Sequence, residues 1–236
     1  MQLRLWDRSM NRARHALLQD RSRFLSACKL DPFYPILPDA AWVARIAGQG
    51  AKLIQLRVKD APPTAIKTEI AQALGVASAY GCQLVINDYW REAISLGADF
   101  MHLGQGDLAG ADLGAIKAAG IKLGISTHSP EELRNALAAD PDYVALGPIY
   151  PTKLKAMPWQ PQGLARIAEW RSKINCALVA VGGITLALAP EVLAAGASSA
   201  AVVTDIVISA NPEQRTTEWI AATAPWRHLS TGHPLV

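Results

Sequence analysis

From Pro32 onward, short apolar runs alternate with amphipathic segments, and the alternation repeats eight times. The expected strands are Phe33 to Leu37, Lys52 to Arg57, Gln83 to Ile86, Asp99 to His102, Lys122 to Ile125, Tyr143 to Leu146, Ala177 to Val181 and Ala200 to Val203. Helical spacing of apolar residues falls between them, at about Ala40 to Ala47, Pro63 to Tyr80, Tyr89 to Leu96, Asp112 to Ala119, Pro130 to Ala138, Leu164 to Lys173, Leu186 to Ala195 and Pro212 to Ala221. A strand followed by a helix and a second nearby strand forces parallel pairing, so eight such rounds predict an α/β fold of one kind, a single (β/α)8 barrel. Gly50, Gly81, Gly97, Gly120 and Gly196 fall where helices should stop, and no linker divides the chain. The expected organisation is a basic, helical N-terminal extension over 1–30, a barrel over 31–222 and a C-terminal tail over 223–236.

A chain of 236 residues, 50% of them hydrophobic and 18% charged, has enough apolar surface to close such a barrel around one core. The longest apolar runs are strand-sized, which argues against a membrane span. Three scattered cysteines match neither a disulfide framework nor a zinc spacing, and a reducing cytoplasm is the simplest location. The net charge of +3 is unevenly spread: residues 1–30 hold seven Lys or Arg against Asp7 and Asp20, so the arm carries +5 and the rest −2. A basic arm can meet nucleic acid or acidic surfaces, but no DNA-binding motif accompanies it, and no nucleic-acid partner is expected. An arginine-rich, acid-poor start also fits a transit peptide. The sequence is equally compatible with a monomer and a homo-oligomer.

In a barrel of this kind the reactive groups come from the carboxyl ends of the strands. Strand three gives out at Asn87-Asp88 and strand four at His102 to Asp107, which puts Asp88 and Asp107 at one edge of the sheet. Taken singly, Asp88 reads as a helix N-cap and Asp107 as a turn residue. As a pair they suit Mg²⁺, which takes one or two carboxylates together with waters and phosphate oxygens. Strand two ends in Gln55-Leu56-Arg57-Val58-Lys59, whose alternation sends Gln55, Arg57 and Lys59 to one side. Two cations buried in a barrel need an anion to meet them. Strand five ends in Ser126-Thr127-His128, and strand six in a long segment, Gly147 to Lys155. Gly182-Gly183 after strand seven and Val203-Thr204 after strand eight lie where barrels commonly hold a phosphate on backbone N–H groups. His102 and His128 are expected to be structural.

Six motifs follow one another along these exits: QLRxKD at Gln55 to Asp60, INDYW at Ile86 to Trp90, HLGQxDL at His102 to Leu108, GxSTH at Gly124 to His128, GPIxPTxxK at Gly147 to Lys155, and AVGGI at Ala180 to Ile184. In this order and register the stretch from Phe33 to Ile206 resembles the thiamine phosphate synthase family. That family joins a pyrimidine methyl diphosphate to a thiazole ethyl phosphate and releases pyrophosphate, with Mg²⁺ as cofactor. The resemblance implies that Gln55, Arg57, Lys59, Asn87, Ser126 and Lys155 hold the pyrimidine diphosphate. It implies Asp88 and Asp107 as Mg²⁺ ligands, and Thr152, Gly182, Gly183, Val203 and Thr204 around the thiazole phosphate. Leu56, Val58, Lys153 and Leu154 fall within the same binding motifs, and the expected catalytic set is Arg57, Lys59, Ser126 and Lys155. Three positions depart from the family's usual pattern. Leu154 stands where a second threonine is typical, Gly106 where glutamate or serine is common, and Thr204 where serine is usual. Thr204 keeps a hydroxyl, whereas Leu154 cannot hydrogen-bond and bears on the thiazole form accepted.

The chemistry fits these residues independently. Diphosphate departure from a benzylic-type carbon on an electron-rich aminopyrimidine needs stabilised negative charge and a thiazole nitrogen held in line, and it needs no covalent nucleophile. A thiazole tautomerase would need no diphosphate apparatus. A non-catalytic sibling that binds thiamine precursors would bind tightly without turnover.

Overall fold

The computed structural model describes residues 29–59, 61–152 and 159–227. Eight parallel strands, β1 Phe33–Leu37, β2 Leu53–Leu56, β3 Gln83–Asn87, β4 Phe100–Leu103, β5 Lys122–Thr127, β6 Tyr143–Leu146, β7 Ala177–Val181 and β8 Ser199–Val202, pair in sequence order. The barrel closes where β1 pairs with β8, with Tyr34 opposite Ala201. The connecting helices are α1 Ala40–Ala47, α2 Pro63–Tyr80, α3 Trp90–Ser95, α4 Gln105–Leu108, α5 Leu113–Ala118, α6 Pro130–Ala138, α7 Gly163–Arg171, α8 Ala189–Ala194, α9 Thr204–Val207 and α10 Pro212–Arg227. Asp39 caps α1 by accepting the Trp42 N–H at 2.8 Å. Gly81 ends α2 at φ 58°, a left-handed turn that glycine enters without a Cβ clash.

The period of two along each strand divides the apolar residues into two cores. Phe33, Ile54, Ile86, Met101, Ile125, Val144, Leu178 and Val202 face outward and pack under the helices. Tyr34, Leu53, Val85, Phe100, Tyr143, Val179 and Ala201 fill the barrel interior, with Leu30 among them. One edge of the barrel is fastened by Asp31: its carboxylate accepts from Arg227 Nε at 2.8 Å and from the Phe33 N–H at 3.0 Å, while its carbonyl accepts from Ser199 Oγ at 2.7 Å. That clamp explains why the closing helix α10 runs to Arg227 rather than stopping near Ala221.

The eight expected strands and eight expected helices are all present, with ends moved by at most about three residues apart from the longer closing helix. Two short helices were not foreseen. α4 and α9 have four residues each and no side-chain N-cap, so they leave no periodic trace in the sequence. Among the described residues no helix is long and apolar enough to cross a membrane. Residues 1–28, 60, 153–158 and 228–236 lie outside the described residues, and with them most of the basic arm, most of the tail, and Lys153, Leu154 and Lys155.

Candidate active site

A cavity of about 730 Å³ opens at the carboxyl ends of the strands. Of the expected site residues, Gln55, Arg57, Asp107, Ser126, Thr152, Gly182, Gly183, Val203 and Thr204 line it. Lys59, Asn87 and Asp88 stand at the β2 and β3 exits beside it. The side chains of Leu56 and Val58 are 1% and 5% exposed in the outer core, so neither faces the cavity and only their backbone could serve a ligand. β2 stops at Leu56, which leaves Arg57 and Lys59 exposed on the rim. The idea of two cations buried within the barrel is therefore corrected: they are solvated groups beside a cavity and bear little desolvation cost.

The two aspartates meet as the βαβ geometry requires. Ile86 and Asn87 of β3 pair with Met101 and His102 of β4, and the Asp88 N–H donates to the His102 carbonyl at 2.9 Å. Asp88 has φ 68°, an unusual conformation for a residue with a Cβ, and one that breaks the chain out of the strand at this point. Neither plain role survives: the N-cap of α3 is Tyr89, and Asp107 lies in the first turn of α4 rather than in a loop. Lys59 Nζ reaches Asp88 Oδ2 at 2.6 Å. The Asp107 carboxyl is held above the usual carboxylate range, first by partial desolvation and then by the Asp88 carboxylate next to it, while Lys59 pulls the other way. A Cβ at Gly104 would sit 3.0 Å from Asp107 Oδ2, so the carboxylate lies close against this glycine. Two neighbouring carboxylates are hard oxygen donors of the kind a divalent cation takes. No cluster of three or more His, Cys, Asp and Glu among the described residues could hold a metal, so the remaining ligands would come from water and a bound anion.

The cavity floor is a hydrogen-bonded chain crossing five strands. Gln55 Nε2 donates to the Tyr34 hydroxyl at 2.9 Å, the Tyr34 and Tyr143 hydroxyls are 3.0 Å apart, His102 Nδ1 is 2.8 Å from the Tyr143 hydroxyl, and His102 Nε2 is 2.7 Å from Ser126 Oγ. Burial pushes His102 down to about 4, so the ring is neutral at physiological pH. Gly124 makes room for this arrangement, since a Cβ there would lie 2.0 Å from the Tyr143 ring. His102 and His128, read from sequence as structural, both line the cavity. Tyr34 and Tyr143 were missed, although each has an outward-facing apolar neighbour (Phe33, Val144) and the alternation places both inside.

On the opposite wall, Gly182 and Gly183 have φ 98° and 68° and receive the β6 exit at close range. A Cβ would meet Pro148 Cα at 2.7 Å from Gly182 and the Pro151 carbonyl at 2.6 Å from Gly183. The Ile149 N–H donates to the Val181 carbonyl and the Tyr150 N–H to the Gly182 carbonyl, each at 3.0 Å, which prolongs the β6 to β7 pairing beyond both strands. At the rim, Glu132 Oε2 accepts from the His128 backbone N–H at 2.6 Å and lies 2.8 Å from its Nδ1, while Trp159 stacks on the imidazole with centroids 5.7 Å apart.

The family model for thiamine monophosphate synthase matches residues 35–206. A thiamine-phosphate synthase of Rhizobium etli is 58% identical over 202 residues, covering 85% of this chain and 99% of that protein. One from Salmonella typhimurium is 44% identical over 189 residues, covering 80% and 90%. Among solved structures, a thiamine phosphate pyrophosphorylase from Pyrococcus furiosus shares the fold, with a TM-score of 0.74 at 24% identity over 83% of this chain and 96% of that one. With a family model across most of the chain and a relative of such identity along nearly its whole length, this chain belongs to the thiamine monophosphate synthase family of transferases.

Proposed function

We propose that the cavity condenses 4-amino-2-methyl-5-hydroxymethylpyrimidine diphosphate with thiazole ethyl phosphate, or its carboxylated form, to give thiamine phosphate and pyrophosphate. The observation that carries this reading is the juxtaposition of paired carboxylates and two rim cations on one wall with a glycine corner on the other. The two walls suit a diphosphate and a monophosphate across one apolar-sided cavity.

Asp88 and Asp107 would hold Mg²⁺, whose charge, when bound, neutralises the diphosphate and favours its departure. Arg57 and Lys59 flank the same position and offer charge-assisted hydrogen bonds to the leaving oxygens. Lys155, which the family resemblance assigns to the pyrimidine diphosphate, would add a third cation. Gln55, Asn87 and Ser126 would orient the pyrimidine, with Ser126 held by the neutral His102. Thr152, Gly182, Gly183, Val203 and Thr204 would receive the thiazole phosphate on hydroxyls and backbone N–H groups. The thiazole nitrogen bears no proton, so no general base is required, and a floor of neutral hydroxyls and a neutral imidazole suits a carbon that gains positive character. A cytoplasmic location fits enzymes of this biosynthetic kind.

The test is a pyrophosphate-release assay with each substrate and the metal omitted in turn. Release that requires both substrates and Mg²⁺ is expected. Isomerisation of a thiazole phosphate alone would instead favour a tautomerase, and tight binding of both ligands without turnover would favour a sensor.

A further inference from the structure

We propose that Asp205 is a positioning residue that locks the β7 and β8 exits to each other, and that it thereby sets the affinity for the phosphate of the thiazole substrate. The proposal rests on the assignment of Gly182, Gly183, Val203 and Thr204 to that phosphate.

Asp205 follows Thr204 directly in α9, and it is not among the residues that line the cavity. Its carboxylate is engaged with the scaffold, and the side chain is 17% exposed. One oxygen, Oδ2, accepts twice: from the Leu186 backbone N–H at 3.2 Å and from Trp219 Nε1 at 2.7 Å. Arg215 Nε stands 3.9 Å from the same oxygen. Leu186 belongs to the β7-to-α8 loop, two residues beyond Ile184. Trp219 belongs to α10, is fully buried, and stacks on Phe33 of β1 with centroids 5.3 Å apart. A single atom therefore ties the glycine corner, the β8 exit and the closing helix together.

The need for such a tie follows from the sequence of the corner. Gly182 and Gly183 have no side chains with which to anchor themselves, and their left-handed conformations are held from one side by the β6 exit. Nothing in the pairing of β7 with β8, which ends at Val181 opposite Ala201, fixes the two loops beyond it. Asp205 supplies that second side. A phosphate held jointly by backbone of both loops senses their separation, whereas the pyrimidine wall across the barrel does not.

The experiment measures kcat and both KM values for Asp205→Ala, Asp205→Asn and Trp219→Phe in the full chain with Mg²⁺, together with Tm. Asp205→Ala should raise KM for the thiazole phosphate about tenfold, with kcat and the pyrimidine KM within about twofold of wild type. Asp205→Asn keeps an oxygen that can accept both N–H groups and should recover most of the loss. Trp219→Phe removes only the indole donor and keeps the ring on Phe33, so it should lower Tm while leaving the thiazole KM near normal. An unchanged thiazole KM in Asp205→Ala, an equal rise in both KM values, or a Trp219→Phe variant as impaired as Asp205→Ala would overturn the proposal, the last two by reducing it to general destabilisation. A wild-type enzyme that ignores the thiazole phosphate altogether would remove the subsite assignment beneath it.

Discussion

Replacing Asp107 with asparagine should stabilise the metal-free protein while disabling the enzyme. Asp107 sits beside Asp88, and its carboxyl takes up a proton more readily than an ordinary one because of desolvation and the neighbouring charge. Two unit charges about 4 Å apart repel by about 4 kcal/mol at an effective dielectric of about 20. Asp107 is exposed and Lys59 already pairs with Asp88, so screening leaves about 1 kcal/mol or less. The sign is fixed by the raised affinity for the proton: the penalty is fully present at neutral pH and is relieved as pH falls through the elevated pKa. Asp107→Asn removes it at every pH, which should raise the metal-free Tm by about 1–3 °C near neutrality and flatten its dependence on acidification. The same change should abolish the stabilisation that Mg²⁺ with pyrophosphate gives the wild type, about 2.7 kcal/mol at a hundredfold excess over Kd. Turnover should fall by about 10² to 10³. Calorimetry with and without Mg²⁺ and pyrophosphate, over neutral to mildly acidic pH, reads the stabilities, and a pyrophosphate-release assay reads the turnover. A variant that loses metal-free stability yet keeps its Mg²⁺ response would refute both the carboxylate pairing and its role as a cation site.

Gly124→Ala should cost about 1–3 kcal/mol or more, because the new methyl falls on the fully buried Tyr143 ring; chemical denaturation measures it, and a neutral result would mean that Tyr143 can move freely. His102, pushed down to about 4, should show no NMR titration near its ordinary value. Its preference for the neutral form contributes stability at pH above about 6.5, and that contribution is lost as pH falls toward 4; a ring that titrates normally would contradict the buried chain. Deleting residues 1–28 should leave steady-state activity largely unchanged, whereas extending the deletion through Asp31 removes the Arg227 clamp and the buried Leu30 and should lower Tm by several degrees, as differential scanning fluorimetry will report.

The barrel was legible because its information is local and repeated. Each round writes a period of two, then a period near 3.6, then a glycine, and parallel pairing follows from the short connections without any knowledge of partners. The same logic put Asp88 and Asp107 at one sheet edge, and the structure places them side by side. The inward position of Gln55 was equally readable from strand parity.

What the sequence left undetermined depends on contacts between residues far apart in the chain. The floor joins Tyr34 to Tyr143 across 109 positions, and nothing local distinguishes a tyrosine that will find a hydroxyl partner from one that fills space. The neutrality of His102 comes from burial, which only the closed barrel creates. Arg57 and Lys59 looked buried because the strand was expected to run one residue beyond Leu56 and its alternation was carried on to Lys59, whereas hydrogen-bond pairing with neighbouring strands decides where a strand stops. The glycines of strand seven were read as a ligand corner. Tertiary packing adds that Pro148 and Pro151 already occupy the space where their side chains would be, so the same two residues close the barrel wall and leave the backbone bare. Periodicity along the chain determined the architecture. The protonation, exposure and mutual support of the site were decided by which distant strands and loops the closed barrel brings within hydrogen-bonding range.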